Sequence, residues 1–416
     1  MDFPIWIKEI NMATVLVSFI GRGNYQSCNY VFDNDHRYET HLFVSALSEF
    51  YKEEIDRLIV FLTEESRNAK RPTDELTYFQ QLEKLHSEKR LVTPEEIIIK
   101  SGKSEQELWE IFETIASNLH KGDELIFDIT HAFRSIPILS LLVIAFLRET
   151  KEIELKAIVY GAFEAKDENG NAPVFNLTPF VDLLDWLSAT KQFKTTGNAN
   201  LLVELLEKNN DRNLARTIKD LSESLRLLRP VFVMEKSQRL SGFLKNETAK
   251  SFVKAKPVLQ LFESIQESYS EFDLSEPKEE KNKEKFIQNL FKLAKWYYKK
   301  GQYVQSIATV RELIPTLVCY KMYFDFFRYE DNRKIAEAYL NQRDDKAPKD
   351  TETIKYDWDE TRLPIKLKEF WQEVTNVRND VLHVGFNESP RKIDNIIKKN
   401  KEFIEQLEPI VSELTK

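Results

Sequence analysis

The chain has 416 residues, 42% hydrophobic and 31% charged, which is length enough for two or three domains with separate cores. Its net charge of −8 at pH 7 argues against a protein that clamps duplex DNA along its backbone, because phosphate neutralisation dominates such affinity. Two cysteines far apart, Cys28 and Cys319, exclude a disulfide framework or a zinc knuckle and point to a reducing, cytoplasmic compartment. The opening residues MDFPIWIKEINM are acidic and carry no apolar stretch with a cleavage site, so no signal peptide is expected. The longest apolar run, Ile136 to Leu147, lies between Arg134 and Arg148 and is too short to span a bilayer, so no membrane role is expected.

Strand-like and helix-like segments alternate through the first half. Thr14 to Phe19 (TVLVSF) is a short β-branched run that predicts a strand, followed by Ile20 and the turn-prone Gly21-Arg22-Gly23-Asn24. Arg57 to Thr63 (RLIVFLT) predicts a second strand. Ser104 with Glu107 reads as a capping box opening a helix whose apolar spacing continues to Leu119. Glu124 to Ile129 predicts a third strand. Ser135 then caps an apolar helix ending near Arg148, with Pro137 in its first turn, where a missing N–H costs little. Leu155 to Phe163 and Val174 to Leu177 predict a fourth and a fifth strand.

Apolar strands separated by helices imply an α/β, Rossmann-like parallel sheet with helices on both faces. Ligands bind such sheets beyond the carboxyl ends of the strands, here the loops after Phe19, Thr63, Ile129 and Phe163. Past about residue 195 the strand signals stop and the pattern is all-α. The charged stretch Ser275 to Lys285 reads as a linker or a solvated helix end. Helices are predicted over Phe286–Tyr298, over Tyr303–Phe327 with a kink at Pro315, over Leu367–Val384 closed by Gly385, and from about Arg391 onward.

Three segments could carry chemistry. The turn Asp128-Ile-Thr-His-Ala-Phe-Arg-Ser135 joins a strand end to a helix start, where outward amides and a positive dipole make an anion site. Thr130 and Ser135 add hydroxyls, Arg134 a charged fork and Phe133 a stacking face. The alternative is that Asp128 and Ser135 only close the turn and His131 is structural. The loop Ser18 to Tyr25 has Gly21 and Gly23 for close backbone approach, and Arg22, Asn24 and Tyr25 to read phosphate or base. It matches neither GxGxxG nor GxxxxGK[ST], which speaks against a nicotinamide-dependent oxidoreductase or an ATPase.

The third segment is Arg378-Asn-Asp-Val-Leu-His383. RNA cleavage without a metal needs a base for the ribose 2′-OH, a proton for the leaving oxygen and positive charge on the phosphate. Asn379 and His383 share a helical face at i, i+4, with Arg378 in reach. The alternative is a surface arginine and a histidine favoured by a helix C-terminus. From Lys366 onward nine Lys/Arg balance nine Asp/Glu, so this segment has no basic excess. The six histidines, at 36, 41, 86, 120, 131 and 383, form no metal-binding pair, and no metal or cofactor is expected.

Together these segments resemble the CARF–HEPN ribonucleases of type III CRISPR systems. DITHAFRSIP resembles the signature of one branch of the CARF (CRISPR-associated Rossmann fold) proteins, and ATVLVSFIGRGNY its first strand and loop. Arg378–His383 with one final helix resembles the R-x(4–6)-H motif of HEPN domains, Asn379 matching the polar residue after the arginine. The resemblance implies an N-terminal extension over 1–11, a CARF sensor over 12–195, a helical linker region over 196–284 and an all-α HEPN domain over 285–416. It also implies a homodimer, or a higher even-numbered homo-oligomer, that binds a cyclic oligoadenylate as allosteric activator. The implied output is cleavage of single-stranded RNA in antiviral defence. Arg378, Asn379 and His383 become catalytic. Ser18, Gly21, Arg22, Asn24, Tyr25, Thr63, Asp128, Thr130, His131, Phe133, Arg134 and Ser135 become activator contacts. The rival reading is a nucleotide-responsive transcriptional regulator with a helix-turn-helix in residues 200–270 and no catalysis.

Overall fold

Strand β1 (Thr14–Ile20) is buried at all seven positions, as a strand covered by helices on both faces must be. It lies inside an eight-stranded sheet of order β3-β2-β8-β7-β6-β1-β4-β5. The computed structural model describes residues 12–33, 36–131, 136–245, 256–341, 367–386 and 388–414. The other strands are β2 (Cys28–Phe32), β3 (His36–Thr40), β4 (Arg57–Thr63), β5 (Pro94–Ile99), β6 (Glu124–Asp128), β7 (Glu154–Gly161) and β8 (Asn171–Asn176). β1 runs parallel to β4, with Ser18 opposite Val60, and parallel to β6, with Thr14 opposite Glu124.

The expected parallel Rossmann-like core is present in β7-β6-β1-β4-β5, but the whole sheet is mixed. β7 pairs β8 antiparallel and β2 pairs β3 antiparallel. The linkages explain why. Only three residues separate β2 from β3 and nine separate β7 from β8, and a parallel return needs a crossover of about a dozen residues or more.

The helices of this region are α1 (Phe43–Phe50), the single turn α2 (Glu64–Arg67), α3 (Tyr78–Lys89), α4 (Glu105–Ser117) and α5 (Ile136–Lys151). Period-two alternation sends Leu16, Val60 and Ile126 to one face, against Phe43, Leu47, Tyr78 and Leu82. It sends Val17, Phe61 and Phe127 to the other, against Ile115, Val143 and Leu147. Gly161 fits one contact closely, since a Cβ there would lie 2.5 Å from the Phe43 ring. Ser104 caps α4 by accepting from the Glu107 N–H at 3.2 Å. The Glu107 carboxylate reaches the N–H of Lys103 at 2.8 Å, so the reciprocal bond falls one residue earlier than a capping box places it. The predicted cap at Ser135 lies outside the described residues.

The chain divides into two compact units, Met1–Asp182 and Leu183–Lys416, and α6 (Thr178–Thr196) runs across that division. The second unit is helical throughout its described residues, as the missing strand signals predict. Its first core joins α6, α7 (Asn200–Lys208), α8 (Arg212–Arg226), α9 (Pro230–Lys245) and α10 (Lys256–Tyr269), through Phe193, Leu221 and Phe262. Its second joins α11 (Lys283–Lys299), α12 (Tyr303–Lys321), α13 (Lys334–Leu340), α14 (Leu367–Leu382) and α15 (Ile393–Leu414), through Leu290, Leu313, Trp371 and Phe403. The buried Asn400 amide ties α15 to α12 by accepting from Ser306 Oγ at 3.0 Å. α12 passes through Pro315 and stops at Lys321, short of the predicted Phe327, because Tyr323 turns left-handed at φ 58°. Among the described residues no helix is long and apolar enough to cross a membrane.

Candidate functional site

The carboxyl ends of β1, β6 and β7 meet at a buried knot. Asp128 is fully buried; its Oδ2 accepts from Ser18 Oγ at 2.6 Å and its Oδ1 from the Thr130 N–H at 2.8 Å. Thr130 Oγ1 in turn accepts from the Gly161 N–H at 2.8 Å. Burial pushes the Asp128 carboxyl up to about 6, with the Ser18 and Thr130 bonds opposing the rise. Three strand ends are thus held in register by one carboxyl group. Thr63, at the end of β4, is also buried and caps α2 by accepting from the Ser66 N–H at 3.1 Å.

Above the knot lies an aromatic stack. The Tyr25 ring sits 4.1 Å from His131 and 4.8 Å from Tyr78, centroid to centroid. The Gly21 N–H donates to the Tyr25 hydroxyl at 2.8 Å, and the Tyr78 hydroxyl donates to the Gly23 carbonyl at 2.9 Å. A Cβ at Gly23 would lie 2.8 Å from the Tyr25 ring, and one at Gly21 would lie 3.1 Å from its hydroxyl. The glycines expected to admit a ligand therefore admit Tyr25. Burial pushes the Tyr25 phenol up to about 12, and burial followed by the nearby His41 pushes His131 down to about 4. His131 Nε2 is buried without a hydrogen-bond partner among the described residues. That nitrogen leaves one polar group for a bound molecule to satisfy, and Arg22 and Asn24 of the β1 loop are exposed. Phe133, Arg134 and Ser135 lie outside the described residues.

Tyr78 and His41 are site neighbours that sequence reasoning missed. His41 Nε2 lies 2.9 Å from Gln81 Oε1, and its ring is 6.0 Å from Tyr78. Tyr78 occupies an apolar helix position and reads as core, which at 1% exposure it also is.

In the second unit Arg378, Asn379 and His383 gather at the end of α14. Arg378 Nη1 donates to Asn379 Oδ1 at 3.0 Å, and the His383 N–H donates to the Asn379 carbonyl at 2.8 Å. α14 closes through a double turn: the Gly385 N–H reaches the Asp380 carbonyl at 2.9 Å and the Val384 N–H reaches the Val381 carbonyl at 3.1 Å. Val384 itself carries the left-handed φ of 59°, ahead of Gly385 at 69°. The Arg391 N–H donates to Asp380 Oδ2 at 3.2 Å and pins the chain leading into α15. The His383 side chain is exposed. So are its apolar neighbours Leu382, Val384 and Ile393, and Phe386 is 90% exposed. An exposed imidazole and a guanidinium carried on one helix end have the chemistry to move a proton and stabilise a phosphate. Among the described residues no group of three or more His, Cys, Asp or Glu is placed to hold a metal.

Known proteins fit this geometry. A family model described as CRISPR system endoribonuclease Csx1, CARF domain, matches residues 15–164. One described as CRISPR-associated protein MJ1674, second domain, matches residues 182–282. The CRISPR-associated protein MJ1674 of Methanocaldococcus jannaschii is 34% identical over 163 residues, 36% of this chain and 25% of that protein. The match thus spans about a quarter of that relative's length. The solved structure of Enterococcus italicus Csm6 bound to cyclic hexa-2'-fluoro-hexa-dAMP overlaps 97% of this chain and 98% of its own, at 11% identity and a TM-score of 0.45. The stretch matched by the CARF-domain model contains most of the Rossmann-like sheet and its knot at Asp128-Ile-Thr-His131. Residues 15–164 are thus similar to the Csx1 CARF domain, and residues 182–282 to the second domain of MJ1674.

Proposed function

We propose that the chain is a cytoplasmic, metal-independent single-strand endoribonuclease, switched on by a cyclic oligoadenylate and working as a homodimer. The observation that carries this reading is the exposed His383 imidazole, one helical turn beyond Asn379, whose side chain engages Arg378. In one copy this group faces solvent amid exposed apolar side chains, and a second copy related by a two-fold axis brings the same residues opposite. In this reading His383 moves the protons, Arg378 stabilises the crowded phosphate and Asn379 orients Arg378. Attack by the neighbouring 2′-OH then leaves a 2′,3′-cyclic phosphate and a 5′-hydroxyl. The activator belongs at the carboxyl ends of the sheet strands, where His131 Nε2 has no hydrogen-bond partner among the described residues.

The test incubates labelled single-stranded RNA with the protein, with and without cyclic adenylates of each ring size, in excess EDTA. Cleavage that needs the cyclic adenylate, survives EDTA and yields cyclic phosphate ends is expected. Strict dependence on Mg²⁺ or Mn²⁺, or full activity in His383→Ala, overturns the reading.

A further inference from the structure

An acidic protein that handles RNA must gather positive charge somewhere, and the Arg378–His383 segment has no excess of it. Helix α11 does. Lys285, Lys292, Lys295 and Lys299 recur at helical spacing, and the last three line an open groove of about 580 Å³ with Phe291. Across the groove stand Glu271 and, from α15, Glu408.

The lysines are not equivalent. Lys295 is spent on Glu408, at 2.5 Å. Lys292 reaches only the backbone carbonyl of Glu271, at 3.4 Å. Neither Lys292 nor the exposed Lys299 has a carboxylate partner among the described residues. Burial first, and the repelling charge of Lys285 second, weaken the hold of Lys292 on its proton, more than Glu271 strengthens it. The contrast with the rest of the surface is plain. Lys399 bridges Glu373 and Glu402, Lys156 bridges Glu54 and Glu124, and both hold their protons more tightly than usual. A half-buried ammonium facing like charge is the environment that an added anion stabilises.

We propose that this face of α11 is a docking site for the phosphate backbone of single-stranded RNA, apart from the cutting residues. From Lys285 to Lys299 the helix rises about 21 Å, longer than one phosphate group, and the groove is open-sided rather than closed around a small molecule. Ammonium groups act as point charges, without the fork that fixes one geometry, so the contact follows the backbone and not the base sequence. Along α15, Glu408 stands fifteen residues from Ile393, where the helix begins beside the Arg378–His383 end, which is about 22 Å of helix. The groove therefore acts on holding the substrate and not on the chemistry. The inference rests on the ribonuclease reading for its ligand and stands apart from it in its test.

The test measures binding rather than cutting. A fluorescent single-stranded 2′-O-methyl oligonucleotide, which has no free 2′-OH to attack, is titrated with the full chain by anisotropy from 50 to 200 mM salt. Lys292→Gln/Lys299→Gln is expected to bind about tenfold or more weakly at low salt. The salt slope should become shallower by about 1.4, two contacts at roughly 0.7 each. Lys292→Arg/Lys299→Arg, which keeps the charge, should restore binding. The control Lys208→Gln/Lys219→Gln, on other helices, should match wild type. If the glutamine variant binds with wild-type affinity and slope while wild-type protein still cuts RNA, the groove is not the docking site and the ribonuclease reading stands. If wild type neither binds nor cuts RNA, both fall.

Discussion

The two candidate sites are built in opposite ways. At the sheet, Ser18, Asp128 and Thr130 are locked into one another, and Tyr25, Tyr78 and His131 stack above them, mostly out of water. At the end of α14, His383 stands in solvent among exposed Leu382, Val384 and Phe386. A site completed within one fold can be preorganised by burial, whereas one left open in a single copy needs a second surface to fix its geometry. In the proposed reading, this difference would let one chain keep a sensor ready and a cutting site idle.

The sharpest way to break the comparison is His383→Ala. It should lower RNA cleavage on the order of 100-fold or more and leave binding of the cyclic activator and the melting temperature unchanged. Loss of activator affinity in that variant would mean that the two sites are not separable.

The buried pair at the sheet gives a pH signature of its own. Folding raises the Asp128 carboxyl to about 6, so its contribution is full below the unfolded value near 3.8 and is lost as pH climbs to about 6. Folding lowers His131 to about 4, so its contribution is full above 6.5 and is lost as pH falls toward 4. Each amounts to about 3 kcal/mol, and between pH 4 and 6.5 they nearly cancel. Asp128→Asn should therefore give stability that rises with pH across this window, and His131→Phe stability that falls. Urea midpoints at pH 4.5, 5.5 and 6.5 read the slopes, and parallel profiles for wild type and both variants would dismiss the assignment.

Smaller effects sharpen the exposed end. Phe386→Asp should weaken self-association by about 2 kcal/mol, roughly thirtyfold in dissociation constant, measured by sedimentation equilibrium. An unchanged constant would place the dimer contact elsewhere. Val384→Gly should stabilise the protein by about 1 kcal/mol in thermal unfolding, because a β-branched residue is strained at φ 59°.

How much of this was legible follows from what each residue had to do. β1, β4 and β6 announce themselves because burial on both faces demands continuous apolar runs. β3 (HRYET) and β5 (PEEIII) are edge strands, paired on one side only, and their polar residues hide them. Pro94 is tolerated because it opens an edge strand, yet in sequence it argues against one. The Asp128 turn was legible as a candidate site from its place after an apolar strand. The roles of its residues were not, since nothing in the letters tells that Ser18, 110 residues away, would take up the Asp128 oxygen. Tyr78 was invisible for the opposite reason, a site neighbour written in core residues.

The bond between the Gly21 amide and the Tyr25 hydroxyl has a thermodynamic consequence. That amide is the backbone donor a phosphate arriving at the β1 loop would seek, and Tyr25 already holds it at 2.8 Å. Any anion that uses it competes with a tethered phenol at high local concentration. The measured affinity is then the intrinsic one reduced by the fraction of molecules in which the ring has swung away. Tyr25 would thereby raise the concentration at which such an anion half-fills the loop.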